Sequence, residues 1–167
     1  TLFPYTTLFR SVTEDVPVSG NVLANDSDID PSAGSGQPAL AVTQFTIGAT
    51  TYAAGSTATI AGVGTLVIAA DGSFTFTPAP DYHGAVPVAT YTASDGSAGP
   101  TTSATATLTI GPIAAVNDAP IAANDTAAVT EDTPAVGNVL ANDGDVEGSA
   151  LAVTTFTIGG ATYAAGS

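Results

Sequence analysis

Short runs of alternating apolar and polar residues, each closed off by Gly, Pro, Asn or Asp, cover most of the chain, and no stretch sustains a 3.6-residue period. The pattern predicts strands over Gly20–Ala24, Leu40–Ile47, Thr57–Ala61, Thr65–Ala69, Ser73–Thr77, Val86–Ser94 and Ser103–Ile110. Phe74 and Phe76 fall on one face of their strand, and Ser73, Thr75 and Thr77 on the other. Ala104, Ala106, Leu108 and Ile110 alternate with Thr105, Thr107 and Thr109 in the same way. A period of two with one apolar face describes antiparallel sheets that bury one side and wet the other. Ala70-Asp71-Gly72-Ser73 reads as a tight turn, with Asp-Gly supplying the positive φ of a two-residue hairpin loop. Seven strands in about 105 residues is the count of an immunoglobulin-like β-sandwich, so the expected class is all-β.

The pattern occurs twice. Val12–Ile29 (VTEDVPVSGNVLANDSDI) returns as Val129–Val146 (VTEDTPAVGNVLANDGDV), and Leu40–Ser56 (LAVTQFTIGATTYAAGS) returns as Leu151–Ser167 (LAVTTFTIGGATYAAGS). The copies stand 117 positions apart in the first pair and 111 in the second, so the later copy is shorter within the loop that reads Asp30–Ala39 in the earlier one. Loops accept such changes and strands seldom do. The expected layout is one complete repeat over 12–116, a linker over 117–128, and the opening of a second repeat over 129–167. Thr1–Ser11 differs from what precedes the second copy. It resembles a translated DNA-sequencing adapter, and on that ground it is set aside from the fold.

Composition narrows the functional classes. Asp and Glu number 15 against one Lys or Arg, for a formal charge of -14, and cysteine is absent. Disulfides and thiolate metal sites are therefore excluded. Nucleic acid is excluded as a partner because phosphates would go unneutralised. No apolar run reaches the roughly 20 residues that span a bilayer, so no membrane insertion is expected. With 44% hydrophobic and only 10% charged residues, the chain is expected to fold.

The acids gather at strand ends: Glu14-Asp15, Asp26/Asp28/Asp30, Asp81, Asp95, Asn117-Asp118 and Asn124-Asp125, then Glu131-Asp132 and Asp143/Asp145/Glu147. Asp and Asn commonly mark turns by bonding their own backbone. Clustering repeated in both copies, without lysine to balance it, points instead to counter-charge from solution. Oxygen donors without thiolate or imidazole select Ca²⁺ or Mg²⁺, and Ca²⁺ tolerates the more irregular sites. Asp26-Ser-Asp28-Ile-Asp30 begins like an EF-hand loop, but Pro31 stands where Gly is required and Gln37 where the bidentate Glu belongs. The glycine-rich nonapeptide of calcium-binding β-rolls is also absent.

The stretches VTEDTPAVGNVLANDGD, ADGSFTFTPAPDYHG, YTASDG and VNDAP resemble the tandem cadherin-like repeats, VCBS-type or tandem-95-type, of large bacterial surface adhesins. That resemblance implies a seven-stranded sandwich with calcium between successive repeats, in proteins exported to the cell surface, often by type I secretion. It further implies ligand roles. Glu14 matches the bridging glutamate of the first strand, and Asp81 the region of a second acidic motif whose other acid is missing here. Asn117 and Asp118 match the interdomain linker, while Asp143 and Asp145 match the DxD of the following repeat. Asp26, Asp28 and Asp95 would face a preceding repeat.

The function expected is that of a non-catalytic extender, stiffened by interdomain calcium, with neighbouring repeats of the same chain as its partners and with adhesion or biofilm formation as the larger purpose. An adhesive ligand is not identified. The alternative is a glycan-binding module, for which Tyr52, Tyr82 and Tyr91 are the aromatic candidates, or an accessory domain of a secreted enzyme. His83 is the only histidine, so no Ser-His-Asp or multi-histidine metal set exists, and it reads as a solvated turn residue.

Overall fold

The computed structural model describes residues 2–3, 7–9, 12–28, 40–96 and 102–166; the whole Asp30–Ala39 loop, with Asp30 itself, lies outside them. The described residues form strands, turns and irregular stretches, without a helix: β1 (Leu2–Phe3), β2 (Thr7–Phe9), β3 (Val12–Thr13), β4 (Val18–Asn21), β5 (Ser27–Asp28), β6 (Ala41–Ile47), β7 (Thr50–Ala53) and β8 (Thr57–Ile60) are followed by β9 (Gly64–Ile68), β10 (Ser73–Pro78), β11 (Ala89–Ser94), β12 (Ser103–Ile110), β13 (Ile113–Ala114), β14 (Thr155–Ile158) and β15 (Ala161–Ala164). The chain divides into two units, Thr1–Val116 and Asn117–Ser167.

In the first unit a four-stranded sheet in the order β4-β10-β9-β8 and a five-stranded sheet in the order β2-β12-β11-β6-β7 make the β-sandwich. The alternation read from the sequence decides which side chains it buries. Phe74, Phe76, Leu66 and Ile68 come from one sheet, and Phe45, Tyr91, Ala106, Leu108 and Ile110 from the other. Burying a side chain of this size contributes about 1.5–3 kcal/mol, so these residues dominate the stability of the unit.

Several boundaries differ from the pattern for identifiable reasons. The first strand of the four-stranded sheet ends at Asn21 because the Asn21 side chain accepts the Leu23 N–H at 2.8 Å, closing a turn where a strand was expected to continue to Ala24. Val86–Val88 is not strand, since Pro87 has no N–H for a ladder. Strand β7 escaped the pattern altogether. It follows a two-residue turn in which Gly48 takes φ 58°, and Ile47 pairs with Thr50 across it. Within β6, Val42 and Phe45 are both buried although three apart, which strict alternation forbids. The register against β11 shifts between Thr92 and Ala93, so Thr43 is the extra residue of a bulge that returns both side chains to one face.

The Asp71-Gly72 turn is also not the two-residue loop expected. Gly72 donates to the Ala69 carbonyl at 3.0 Å and Ala69 to that of Ser73 at 2.8 Å, giving a three-residue loop with Gly72 at φ 83°. A Cβ on Gly72 would lie 2.5 Å from Asn21 Oδ1 and 2.6 Å from Leu23 Cγ, so the site accepts glycine only. Asp71 Oδ1 accepts both the N–H and the hydroxyl of Ser73, and these bonds hold its carboxyl below the usual range.

The first eleven residues, set aside above, enter the pairing: Thr7–Phe9 run parallel to β12, and Leu2–Phe3 pair with β5. An open strand edge offers N–H and C=O groups to any extended chain, whatever its side chains.

In the second unit β14 and β15 form a hairpin, and Ile121 pairs with Gly144 in an isolated bridge. All buried apolar side chains among the described residues belong to the first unit.

Candidate functional site

Three stretches distant in sequence meet where the first unit closes. Ile113 of β13 pairs with Val12 of β3, and the Glu14 N–H donates to the Ala114 carbonyl at 3.1 Å. On its other side Ile113 exchanges two hydrogen bonds with Gly84, at 3.0 and 2.8 Å. Just before Gly84, Tyr82 donates its N–H to the Ala79 carbonyl, which closes a turn with Pro80 and Asp81 at its centre. Asp81 takes φ 58° there, the positive value that the third position of such a turn requires after Pro. Its N–H donates to Asp15 Oδ1 at 3.2 Å, and Asp15 itself has φ 61°. Glu14, Asp15, Asp81, His83 and Val116 are thereby collected on segments that lean on one short strand.

Glu14 is the buried member. It is 2% exposed, and no other polar or charged side chain among the described residues is buried. Its Oε1 accepts the N–H of Val116, the last residue of the unit. Its Oε2 is buried without a hydrogen bond, 3.6 Å from Nδ1 of the half-exposed His83. An ionised carboxylate buried in this way is costly unless compensated. The chain has no lysine to compensate it, and His83, read above as a solvated turn residue, lies against it instead.

Asp26, Asp28 and Asp95 lie elsewhere in the same unit. Ala89 at the start of β11 pairs with Leu108 and Ser94 at its end with Ser103, so β12 runs back toward β13 and Asp95 follows β11 at the opposite end from Glu14. Asp26 Oδ2 accepts the Tyr91 hydroxyl at 2.8 Å, and the same hydroxyl lies 2.9 Å from the Val22 carbonyl. Burial and the nearby Asp26 carboxylate push the Tyr91 phenol well above its ordinary range. Asp28 lies on β5, and the Asp95 N–H donates to the Thr102 carbonyl. Of the tyrosines that could have formed a sugar platform, Tyr91 is wholly buried, Tyr52 stacks on Phe45, and Tyr82 donates its hydroxyl to the Ala85 carbonyl.

Within the second unit the linker lies along the DxD segment. The Ile121–Gly144 bridge is its centre, with bonds of 2.7 and 2.9 Å. Around it Ala123 donates to Asp143 Oδ1, Ser149 to Asp145 Oδ1, and Asp118 to Glu147 Oε2, at 2.8–3.0 Å. Asn117, Asp118, Asp143 and Asp145 all line one hollow of about 370 Å³. Four of the residues singled out from the sequence are therefore brought together in this unit. Glu147 joins them, and its Oε1 is buried without a hydrogen bond. The repeated acid at this place in both copies was its signal in the sequence.

Both units therefore offer a buried carboxylate oxygen without a hydrogen bond, among further oxygen donors, in a chain that has no lysine. That donor chemistry fits a hard divalent cation. Calcium bound at either place would bring positive charge and take oxygen ligands from the carboxylates of that unit, with water completing its shell.

Among the described residues no helix is long and apolar enough to cross a membrane. Residues 117–167 match the family model of the bacterial Ig domain, and residues 7–112, more than half of the chain, match that of the bacterial cadherin-like domain. Comparison with curated proteins and with solved structures gave no match. Domains of these two kinds are typical of extracellular or surface proteins and are typically non-catalytic structural modules, and cadherin-like domains generally bind calcium. A β-sandwich with β13 closing on β3, acids at its ends and a matching family model place this chain in the bacterial cadherin-like domain family.

Proposed function

We propose that the chain is a non-catalytic extender of a bacterial surface adhesin, in which calcium stiffens the passage from one repeat to the next. The observation that carries this reading is Glu14: buried, with one oxygen unbonded and the other held by the N–H of Val116, which stands two residues before Asp118 in the chain. Glu14 and Asp81 would serve the ion from the first unit, and Asn117, Asp118, Asp143 and Asp145 from the second, with Glu147 added to the set. Asp26, Asp28 and Asp95 would serve an equivalent junction with a preceding repeat. Mutual repulsion of the unliganded acids would keep such an array extended until calcium is met outside the cell, as type I secretion would require. The repeats of the same chain are then the immediate partners, and adhesion or biofilm formation is the work of a domain that the array projects.

Thermal unfolding with Ca²⁺ and then with a chelator tests the reading. Calcium at 100 times its dissociation constant stabilises by about 2.7 kcal/mol, a melting rise of several degrees. Asp118→Ala is expected to remove most of that rise. Equal melting temperatures with and without Ca²⁺ would leave the acids as turn formers and solubilisers, and the calcium-stiffened extender would be rejected.

A further inference from the structure

We propose that His83 and Glu14 together form a two-donor site for a borderline transition ion such as Zn²⁺, so that the carboxylate assigned above to calcium is shared between two classes of metal. The inference rests on Glu14 being a cation ligand and extends that reading to His83, which the extender function does not use.

The distance is the first argument. Glu14 Oε2 and His83 Nδ1 are 3.6 Å apart, too far for a hydrogen bond and well beyond the 2.7–2.9 Å of a charge-assisted one. Two donors on one tetrahedral zinc, each at about 2.0–2.2 Å, stand about 3.4 Å from each other. The pair is thus spaced as co-ligands are. Availability is the second argument. Glu14 Oε1 is taken by Val116, whereas Oε2 is buried and without a hydrogen bond, on the side that faces the imidazole. His83 is 43% exposed, so an ion can enter from solvent and keep water in its remaining positions.

Rigidity is the third. Gly84, next to His83, is tied to Ile113 by two backbone bonds, and Glu14 is tied to Ala114. Both donors are therefore referenced to the same short strand, which limits the reorganisation that binding would demand. Imidazole suits Zn²⁺, Ni²⁺ and Cu²⁺ and not Ca²⁺, so His83 sets the class of ion. The two classes would compete for Glu14.

His83 is the only histidine in the chain, so its ring resonances report without ambiguity. Titration of the full chain with Zn²⁺, followed by NMR of that ring, is expected to saturate at one equivalent and to reverse on adding excess Ca²⁺. Glu14→Gln should weaken Zn²⁺ by about tenfold or more. Since Glu14 is buried, the exposed His83→Ala serves as the second variant: it should remove the tightest Zn²⁺ step measured by calorimetry, leaving only weaker binding to the other carboxylates, and keep the calcium melting rise intact. Ring signals that ignore Zn²⁺, or that titrate identically in a folded Glu14→Gln variant, would overturn the proposal and leave His83 and Glu14 as neighbours that share no metal. A calcium rise that is absent while Zn²⁺ still binds would reject the calcium extender and not this site.

Discussion

The same hairpin occurs twice in this chain with different fates. In β6–β7 Phe45 stacks on Tyr52 with ring centroids 5.4 Å apart, and in β14–β15 Phe156 stacks on Tyr163 at the same 5.4 Å. Thr46 and Thr51 share a hydroxyl bond of 3.0 Å, and Thr157 and Thr162 one of 3.2 Å. Yet Phe45 is fully buried and Phe156 is 40% exposed. The difference is a neighbour: β6 is flanked by β11, which sets Tyr91 opposite Phe45, whereas among the described residues β14 pairs with β15 alone. Local sequence thus builds the hairpin and its ring pair, while burial, and most of the energy, comes from strands far away in sequence.

The largest way to break this comparison is to delete both rings. Phe45→Ala should cost about 3–5 kcal/mol in urea unfolding, because it opens a cavity in a closed core. Phe156→Ala should cost under about 1 kcal/mol, since a half-exposed ring leaves no cavity. Equal losses would mean that the second hairpin is covered in solution.

A smaller contrast lies in the asparagine turn that both copies carry. Asn21 Oδ1 accepts the Leu23 N–H and Asn138 Oδ1 that of Leu140, but Asn21 also donates Nδ2 to the Asp71 carbonyl at 3.0 Å. Asn21→Ala should cost about 1 kcal/mol or somewhat more, and Asn138→Ala no more than about 0.5 kcal/mol, by the same denaturation measurement.

The smallest effect concerns the turn that receives Asn21. The Ser73 bonds lower the Asp71 carboxyl in the folded state, so their stabilisation is present above its unfolded value near 3.8 and fades as pH falls through the folded one. Ser73→Ala should move the Asp71 titration midpoint upward, as NMR would record, and remove that part of the acid sensitivity. An unmoved midpoint would show that the serine bonds do not form in solution.

Legibility varied with the range of the interaction. The alternation of β10 and β12, the repeat, and the clustering of Asn117, Asp118, Asp143 and Asp145 follow from neighbours in sequence or from motifs read as they stand. The bulge at Thr43 was invisible because an extra residue in β6 has meaning only against β11. His83 looked like a free turn residue because Glu14, 69 positions earlier, becomes its neighbour only when β13 pairs with β3 and bonds to Gly84. Asp26 carried no mark of its bond to Tyr91, whose hydroxyl reaches it from another strand.

By itself the sequence determined the all-β class, the inward faces of β10 and β12, the twice-built hairpin, and the turns where Asp15 and Asp132 both take φ near 60°. These depend on sterics and hydrogen bonds within a few residues, so each copy repeats them in its own surroundings. Only the tertiary structure decided that Glu14 is buried with one oxygen unbonded, that His83 stands beside it, and that Phe45 is enclosed where Phe156 is not. Those outcomes depend on which surface covers which, and that is settled by pairings between residues tens of positions apart.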